Sequence, residues 1–323
     1  MSQESAKSTL SKSFLLLIMG LTLFIVTCTK DGDTEEIRLE SLTRKLTQAI
    51  NADSLGSYIT WMENMGTRFA LAENHREVAV NILNRFRMIG FTNCRLDSFV
   101  LDRMYEDIRY QQWQYNVIAT IEGTTNPDSI CILGAHYDDN LRSGDPFSVA
   151  PGANDNASGV AAVIELARVF MKENFAPRNT IEFIAFGAEE LGLYGSKAYA
   201  SLAAGSFKNI KMMLNNDMIA YETQATSSSW TVDIKDYDNS HELRQEAERM
   251  CTKFTTLDHK NDNTYNMQSD SYPFFEQGYK ALFFFSNTMD PEYHSLADRS
   301  VNCNFAYCRE IVKISCALLV YNN

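Results

Sequence analysis

Apolar positions recur along this chain at two different periods, and the alternation between them predicts most of its elements. Leu39, Leu42, Leu46 and Ile50 follow helical spacing, and Val78, Ile82, Leu83 and Phe86 do so again before the stop at "MIGF". Two helices are therefore expected to open the domain. "NVIATIEG" (116–123) and "SICILGAH" (129–136) are continuous apolar runs that predict strands, and the turn "TTNPD" between them fits a hairpin or neighbouring pair. "GVAAVIELARVFMK" (159–172) predicts a helix, "TIEFIAFGAEE" (180–190) a buried strand running into a loop, and "NIKMMLNNDM" (209–218) another strand. Then follow the strand "SWTVDIK", a helix from about 240 to 254, the strand "KALFFFS" and a C-terminal helix from about 306 to 320. Continuous apolar strands separated by helices predict an α/β protein, a three-layer α/β/α sandwich with a mixed, mainly parallel central sheet covered on both faces.

Composition narrows the classes. A chain of 323 residues, 45% hydrophobic and 22% charged, suits one large globular domain or at most two. The formal net charge of −12 argues against nucleic acid, whose phosphates require a basic surface, and leaves an acidic surface or carboxylates gathered around a cation. At the N-terminus, Lys7 and Lys12 precede the apolar run "FLLLIMGLTLFIV" (14–26), which has the length of a signal h-region and falls short of the roughly 20 residues of a spanning helix. Residues 1–28 therefore read as an export signal, 29–36 as an acidic tether and 37–323 as the domain. The end of the run, "VTC" followed by "TKDGDTEE", resembles a bacterial lipoprotein signal, which implies an exported protein held at the cell envelope by a lipid on Cys28; an ordinary secretory signal is the alternative. The remaining cysteines, Cys94, Cys131, Cys251, Cys303, Cys308 and Cys316, show no CxxC spacing, and no particular bridge is expected.

Ligands of such a sheet bind beyond the carboxyl ends of its strands, so the polar residues that end each apolar run are the candidates for chemistry. "CILGA" leads to His136 and Asp138, the next loop to Asp155, "IEFIAFGA" to Glu189 and Glu190, "MMLNN" to Asp217, and "PEYHSLAD" supplies His294. Singly, each has an ordinary reading: Asp155 as a helix cap, Asp138 as a turn residue, His294 as a surface histidine. Converging on one sheet edge, they would repel and desolvate one another without a cation. Imidazole mixed with carboxylate suits Zn²⁺, and two ions fit better than one if Asp155, among small residues in "PGANDNASG", bridges them.

"GAHYDD", "PGANDNASG", "FGAEELGLYGS", "NNDM" and "YHSLADRS" together resemble the five ligand-bearing segments of the M28 family of metallopeptidases, zinc aminopeptidases with an α/β/α sandwich. The resemblance covers roughly residues 70 to 320. It implies that His136, Asp155 and Asp217 hold one zinc and Asp155, Glu190 and His294 the other, with Glu189 as general base and Asp138 orienting His136. Two zincs sharing a water would lower its pKa and polarise the scissile carbonyl, while Glu189 accepts its proton and passes it to the leaving amine. The family also places a tyrosine before an "SD" segment as an oxyanion donor, which in "NTYNMQSDSYPF" points to Tyr265; Tyr272 and Tyr293 compete, and simple packing is the plain alternative. Ser271 stands where many relatives carry histidine.

The implied function is a dizinc aminopeptidase acting on peptides with a free N-terminus. A glutaminyl cyclase of the same fold, using Asp155, Glu190 and His294 for one zinc, is the first alternative, and a noncatalytic peptidase-like binding ectodomain is the second. "KALFFFS" and "SYPFF" offer aromatic walls for a substrate pocket or, equally, a buried strand and helix face.

Overall fold

A computed structural model describes residues 34–323; the expected signal, Cys28 and the first part of the tether lie outside the described residues. The chain divides into two units, Met1–Lys45 and Leu46–Asn323. Of the first unit, residues 34–45 belong to a helix, α1, that spans 34–48 and so begins inside the expected tether. Glu35 with Arg38 and Glu40 with Arg44 pair one turn apart on it at 2.7 Å each, contacts that steady a surface helix by a few tenths of a kcal/mol.

The second unit carries the sheet. Its strands are β1 (Cys94–Tyr105), β2 (Ile108–Ile121), β3 (Asn126–His136), β4 (Asn179–Phe186), β5 (Asn209–Asn216), β6 (Thr231–Lys235), β7 (Asp258–Lys260) and β8 (Ala281–Ser286). They lie in the order β1-β2-β4-β3-β5-β8-β6-β7. The pairs β3/β4, β3/β5, β5/β8 and β6/β7 are parallel, while β1/β2, β2/β4 and β6/β8 are antiparallel. Helices α2 (Ala52–Glu63), α3 (His75–Ile89), α4 (Ser158–Lys172), α6 (His241–Phe254) and α8 (Phe305–Tyr321) pack together on one face, and α5 (Tyr194–Gly205) with α7 (Ser271–Glu276) covers the other. The three-layer sandwich with a mixed sheet is thus the observed architecture. Helix α4 is apolar nearly all round because it is enclosed by the sheet on one side and by α2 and α8 on the other. Local chemistry sets the helix starts: the Asn51 side chain accepts from the amides of Asp53 and Ser54 at the head of α2, and Asn304 accepts from that of Tyr307 at the head of α8.

The expected pairing of 116–123 with 129–136 is overturned. β4 inserts between β2 and β3, antiparallel to the one and parallel to the other. The loop 122–125 crosses directly over the start of β4, where Thr124 N donates to Pro177 O at 2.8 Å and Gly123 N to Thr180 Oγ1 at 3.1 Å. A Cβ on Gly123 would come within 2.6 Å of the β4 backbone, so only glycine permits this crossing. The sequence reading also passed over β1, α2, α5 and β7. β1 was hidden by its alternating, half-exposed pattern; it pairs along its whole length with β2 through a tight turn at Glu106 and Asp107, both at positive φ.

Candidate metal centre

β3, β4, β5 and β8 run parallel, so their carboxyl ends open on one edge. His136 is the last residue of β3, Asp217 follows β5, and Glu189 and Glu190 follow β4. Asp155 sits in the turn before α4 and His294 in the loop after β8. The structure brings these six side chains together.

Asp155 faces two ways. Its Oδ1 lies 3.2 Å from His136 Nε2, and its Oδ2 lies 3.1 Å from His294 Nε2. Around His136, Asp217 Oδ1 stands at 3.4 Å and Glu189 Oε2 at 4.0 Å. His294 Nε2 meets Glu190 Oε1 at 2.8 Å. Two donor sets result, His136 with Asp155 and Asp217, and Asp155 with Glu190 and His294, each with ligand atoms within 4.8 Å of one another. Asp155 is common to both. Its Oδ2 is buried without a hydrogen bond of adequate geometry. A buried carboxylate oxygen without a partner costs a kcal/mol or more, and a mixed set of imidazole and carboxylate around it fits a divalent ion such as zinc.

The turn that presents Asp155 is held from behind. Arg68, fully buried, donates to the carbonyls of Tyr137 at 2.9 Å, Pro151 at 2.9 Å and Gly152 at 2.7 Å, and its amide meets both oxygens of Asp139 at 3.1 Å. One guanidinium thereby ties the strand end carrying His136 to the turn carrying Asp155. Gly152 adopts φ +47°, and a Cβ there would come within 2.5 Å of the guanidinium, so the close approach requires glycine. Asp298 accepts from the amides of Asn154 at 2.7 Å and Asp155 at 3.0 Å, and Asp290 accepts from the Asn154 side chain at 3.0 Å. Asn156 Oδ1 receives the Gly159 amide at 2.9 Å and its Nδ2 donates to Asn216 O at 3.0 Å. On the other side, Ser269 donates to Asp217 Oδ2 at 2.5 Å.

Asp138 differs from expectation. Its carboxylate is 3.8 Å from His136 Nδ1, and that nitrogen donates instead to the Asp138 carbonyl at 3.1 Å. The carboxylate receives the amides of Glu189 at 3.0 Å and Glu190 at 3.1 Å, so it positions the loop after β4 and not the imidazole directly. This loop has to be pinned, because its two adjacent carboxylates must point to different places.

Charges in the cluster shift one another. Burial pushes Glu189 well above the usual carboxylate range, and the negative charges of Glu190, Asp270 and Asp217 push the same way, against His136. Burial with the Asp155 charge raises Glu190 to about 7. Burial disfavours charge on His294, but Asp155 and Glu190 outweigh it and raise its pKa to about 10. Burial would likewise raise Asp155, yet the two histidines hold it below its ordinary value. Protons here stand in for positive charge that a divalent ion supplies.

His136, Asp155, Glu189, Glu190 and Asp217 line a cavity of about 300 Å³ together with Met218, Phe283, Phe285 and Tyr293, and with Arg142, Tyr265, Gln268 and Met289. Met218, Phe283, Phe285 and Tyr293 pack as one apolar cluster. Tyr265 lines this cavity while remaining 52% exposed, at φ +67° in a loop. Tyr293 also lines it and stacks on His294, ring centres 3.8 Å apart, whereas Tyr272 belongs to α7 and packs against the core on the far face of the sheet. Ser271 accepts or donates a hydrogen bond with Tyr237 at 2.8 Å, away from the donors. Sequence reasoning did not single out Arg68, Arg142, Asp290 or Asp298. Nothing local marks them, since their partners lie tens of residues distant.

The fold and site define a three-layer α/β/α protein with a double nitrogen and oxygen donor set at the carboxyl edge of its sheet. The chain belongs to peptidase family M28, whose family profile matches residues 116–319. It is 29% identical over 197 residues to leucine aminopeptidase 1 of Ajellomyces capsulatus, covering 60% of this chain and 49% of that protein. It is 31% identical over 195 residues to a probable zinc metalloprotease of Leptosphaeria maculans, covering 57% of this chain and 45% of that protein. The chain thus spans half or less of the length of such relatives. Among solved structures, the LapA aminopeptidase of Legionella pneumophila shares the fold with a TM-score of 0.72 at 20% identity, covering 87% of this chain and 74% of that one. A glutaminyl cyclase of Bacteroides thetaiotaomicron shares it at 0.66 and 16%, covering 85% of this chain and 98% of that one.

Proposed function

We propose that this chain is a dizinc aminopeptidase that hydrolyses N-terminal residues from peptides. The observation that carries the reading is Asp155, which directs one carboxylate oxygen to His136 and the other to His294, each beside a further carboxylate. His136, Asp155 and Asp217 would hold one zinc and Asp155, Glu190 and His294 the other. Bound there, the pair would supply Lewis acidity for a water molecule and for the scissile carbonyl. Glu189 accepts the proton that this water loses as its oxygen attacks the carbonyl carbon, then delivers it to the amine nitrogen as the C–N bond breaks. Asp138 holds the Glu189 and Glu190 amides so that the base and the ligand keep separate directions. The cluster of Met218, Phe283, Phe285 and Tyr293 receives an apolar N-terminal side chain. Tyr265, on the open margin, donates to the developing oxyanion once substrate is present. The N-terminal apolar run and Cys28 support export and lipid attachment at a bacterial cell envelope.

The test pairs zinc analysis of the purified protein with hydrolysis of aminoacyl anilides and cyclisation of glutaminyl peptides. Near two zincs per chain with anilide hydrolysis is the expected result. About one zinc with cyclisation would replace this reading by the cyclase, and no metal with no turnover would replace it by a binding domain.

A further inference from the structure

Arg142 is the one arginine or lysine among the residues lining the cavity, which also include Asp155, Glu189, Glu190 and Asp217. A cation serving only to balance those carboxylates would pair with one of them. Among the described residues, the Arg142 guanidinium makes no ion pair and no hydrogen bond. The exposed guanidinium nevertheless has one contact within the protein. Its carbon lies 4.7 Å from the centre of the Tyr293 ring, which itself stacks on His294 at 3.8 Å, and its backbone amide donates to His294 O at 2.9 Å. The guanidinium, on an exposed side chain, therefore leans on a ring that itself stacks on a donor histidine, with its N–H groups unpaired among the described residues. A fork of this kind matches a carboxylate bidentately.

The position excludes one source of that carboxylate and favours another. An acidic N-terminal side chain would have to enter past Met218, Phe283 and Phe285, an apolar surface that disfavours charge. The terminal carboxylate of a short peptide lies on the other side of the scissile bond. The two stacked contacts put the guanidinium carbon no more than about 8.5 Å from the His294 ring, a span that two to three extended residues cover at about 3.3–3.6 Å each. We propose that Arg142 binds the free α-carboxylate of di- and tripeptides, so that the enzyme prefers short peptides with an unblocked C-terminus. This rests on the aminopeptidase reading for its catalytic consequence, but the recognition itself is a property of binding.

Zinc-loaded protein is assayed with Leu-Ala and with Leu-Ala amide, and binding of both is measured by calorimetry in the Glu189→Gln variant with and without Arg142→Gln. The free acid should have a kcat/KM, and in the Glu189→Gln protein an affinity, about tenfold above the amide, as a charge-assisted hydrogen bond confers. In Arg142→Gln that ratio should fall to near one. Equal binding of acid and amide before Arg142 is replaced, or a ratio that survives its replacement, overturns the proposal. So does a preference that follows glutamate over leucine at the N-terminus. Absence of all cleavage with the binding difference intact would defeat the aminopeptidase reading and leave the carboxylate site standing.

Discussion

Two regions of this protein bury several charges, and they resolve the problem differently. At the exit of β6, Lys235 meets Asp233 Oδ2 at 2.8 Å and the Asp262 carbonyl, Asp233 Oδ1 receives the Asp262 amide at 2.9 Å, and Asp236 is hydrogen-bonded by Asn261, Asn263, His241 and Arg244. Every charge there has a partner in the chain. The network moors the loop 261–266 and is complete as folded. At the carboxyl edge of β3, β4 and β5, carboxylates outnumber histidines; among the described residues, Asp155 Oδ2 meets only His294 Nε2, at 3.1 Å and without hydrogen-bond geometry, and both Asp270 oxygens are buried without a hydrogen bond. Buried charge that the chain itself satisfies is structural, whereas buried charge left over points to something the chain does not contain.

The comparison can be broken at either end. Asp155→Ala should have the largest effect, removing both ions and all measurable hydrolysis, because it takes one ligand from each set. Glu189→Gln should keep the metal content while slowing hydrolysis by about 10²–10⁴-fold; elemental analysis beside rate measurements separates the two, and metal loss in the Gln variant would make Glu189 a ligand. Lys235→Met should destabilise the fold by about 3–5 kcal/mol by leaving Asp233 buried and unmatched, with zinc content unchanged. Urea unfolding with metal analysis reads both quantities, and joint loss would mean that the two regions are one.

Chelation sharpens the contrast from the other side. Removing zinc supplied free at a hundredfold excess over its Kd should lower stability by about 2.7 kcal/mol for each site emptied, and the same treatment of Asp155→Ala should change little. A thermal melt with and without chelator is sufficient. The smallest effect belongs to Asp236→Asn. Burial alone would raise Asp236, but hydrogen bonds from His241, Asn263 and Arg244 hold its carboxyl below the ordinary value. A depressed carboxylate contributes stability above its unfolded pKa of about 3.9, and that contribution is lost as pH falls through the folded value. The variant should therefore be less stable than the parent by about 1 kcal/mol at pH 7, after allowance for solvent screening, and the gap should close below about pH 4. A constant gap across that range would mean packing, not charge, is responsible.

Much of the fold was legible where burial is complete. Continuous runs such as "TIEFIAF" and "GVAAVIELARVF" have one reading because every position is enclosed, and the polar residues that terminate them marked His136, Asp155, Glu190, Asp217 and His294 as residues that share one edge. The half-exposed β1 was missed, since an alternating strand of mixed residues differs little from loop. The pairing of β2 with β3 was misread for another reason: a short connection suggests adjacency, and only the whole sheet shows that β4 takes the place between them.

Residue type and order along the chain determined the layers, the strands' polar ends and the donor set, because these follow from local periodicity and from the chemistry each side chain carries wherever it is placed. Tertiary structure alone decided that Asp138 holds two amides instead of an imidazole, that Arg68 joins the strand end carrying His136 to the turn carrying Asp155, and that Arg142 stands beside Tyr293 without an ion pair among the described residues. Those contacts join residues far apart in sequence, and a hydrogen bond is set by position and direction in space, which no local pattern encodes.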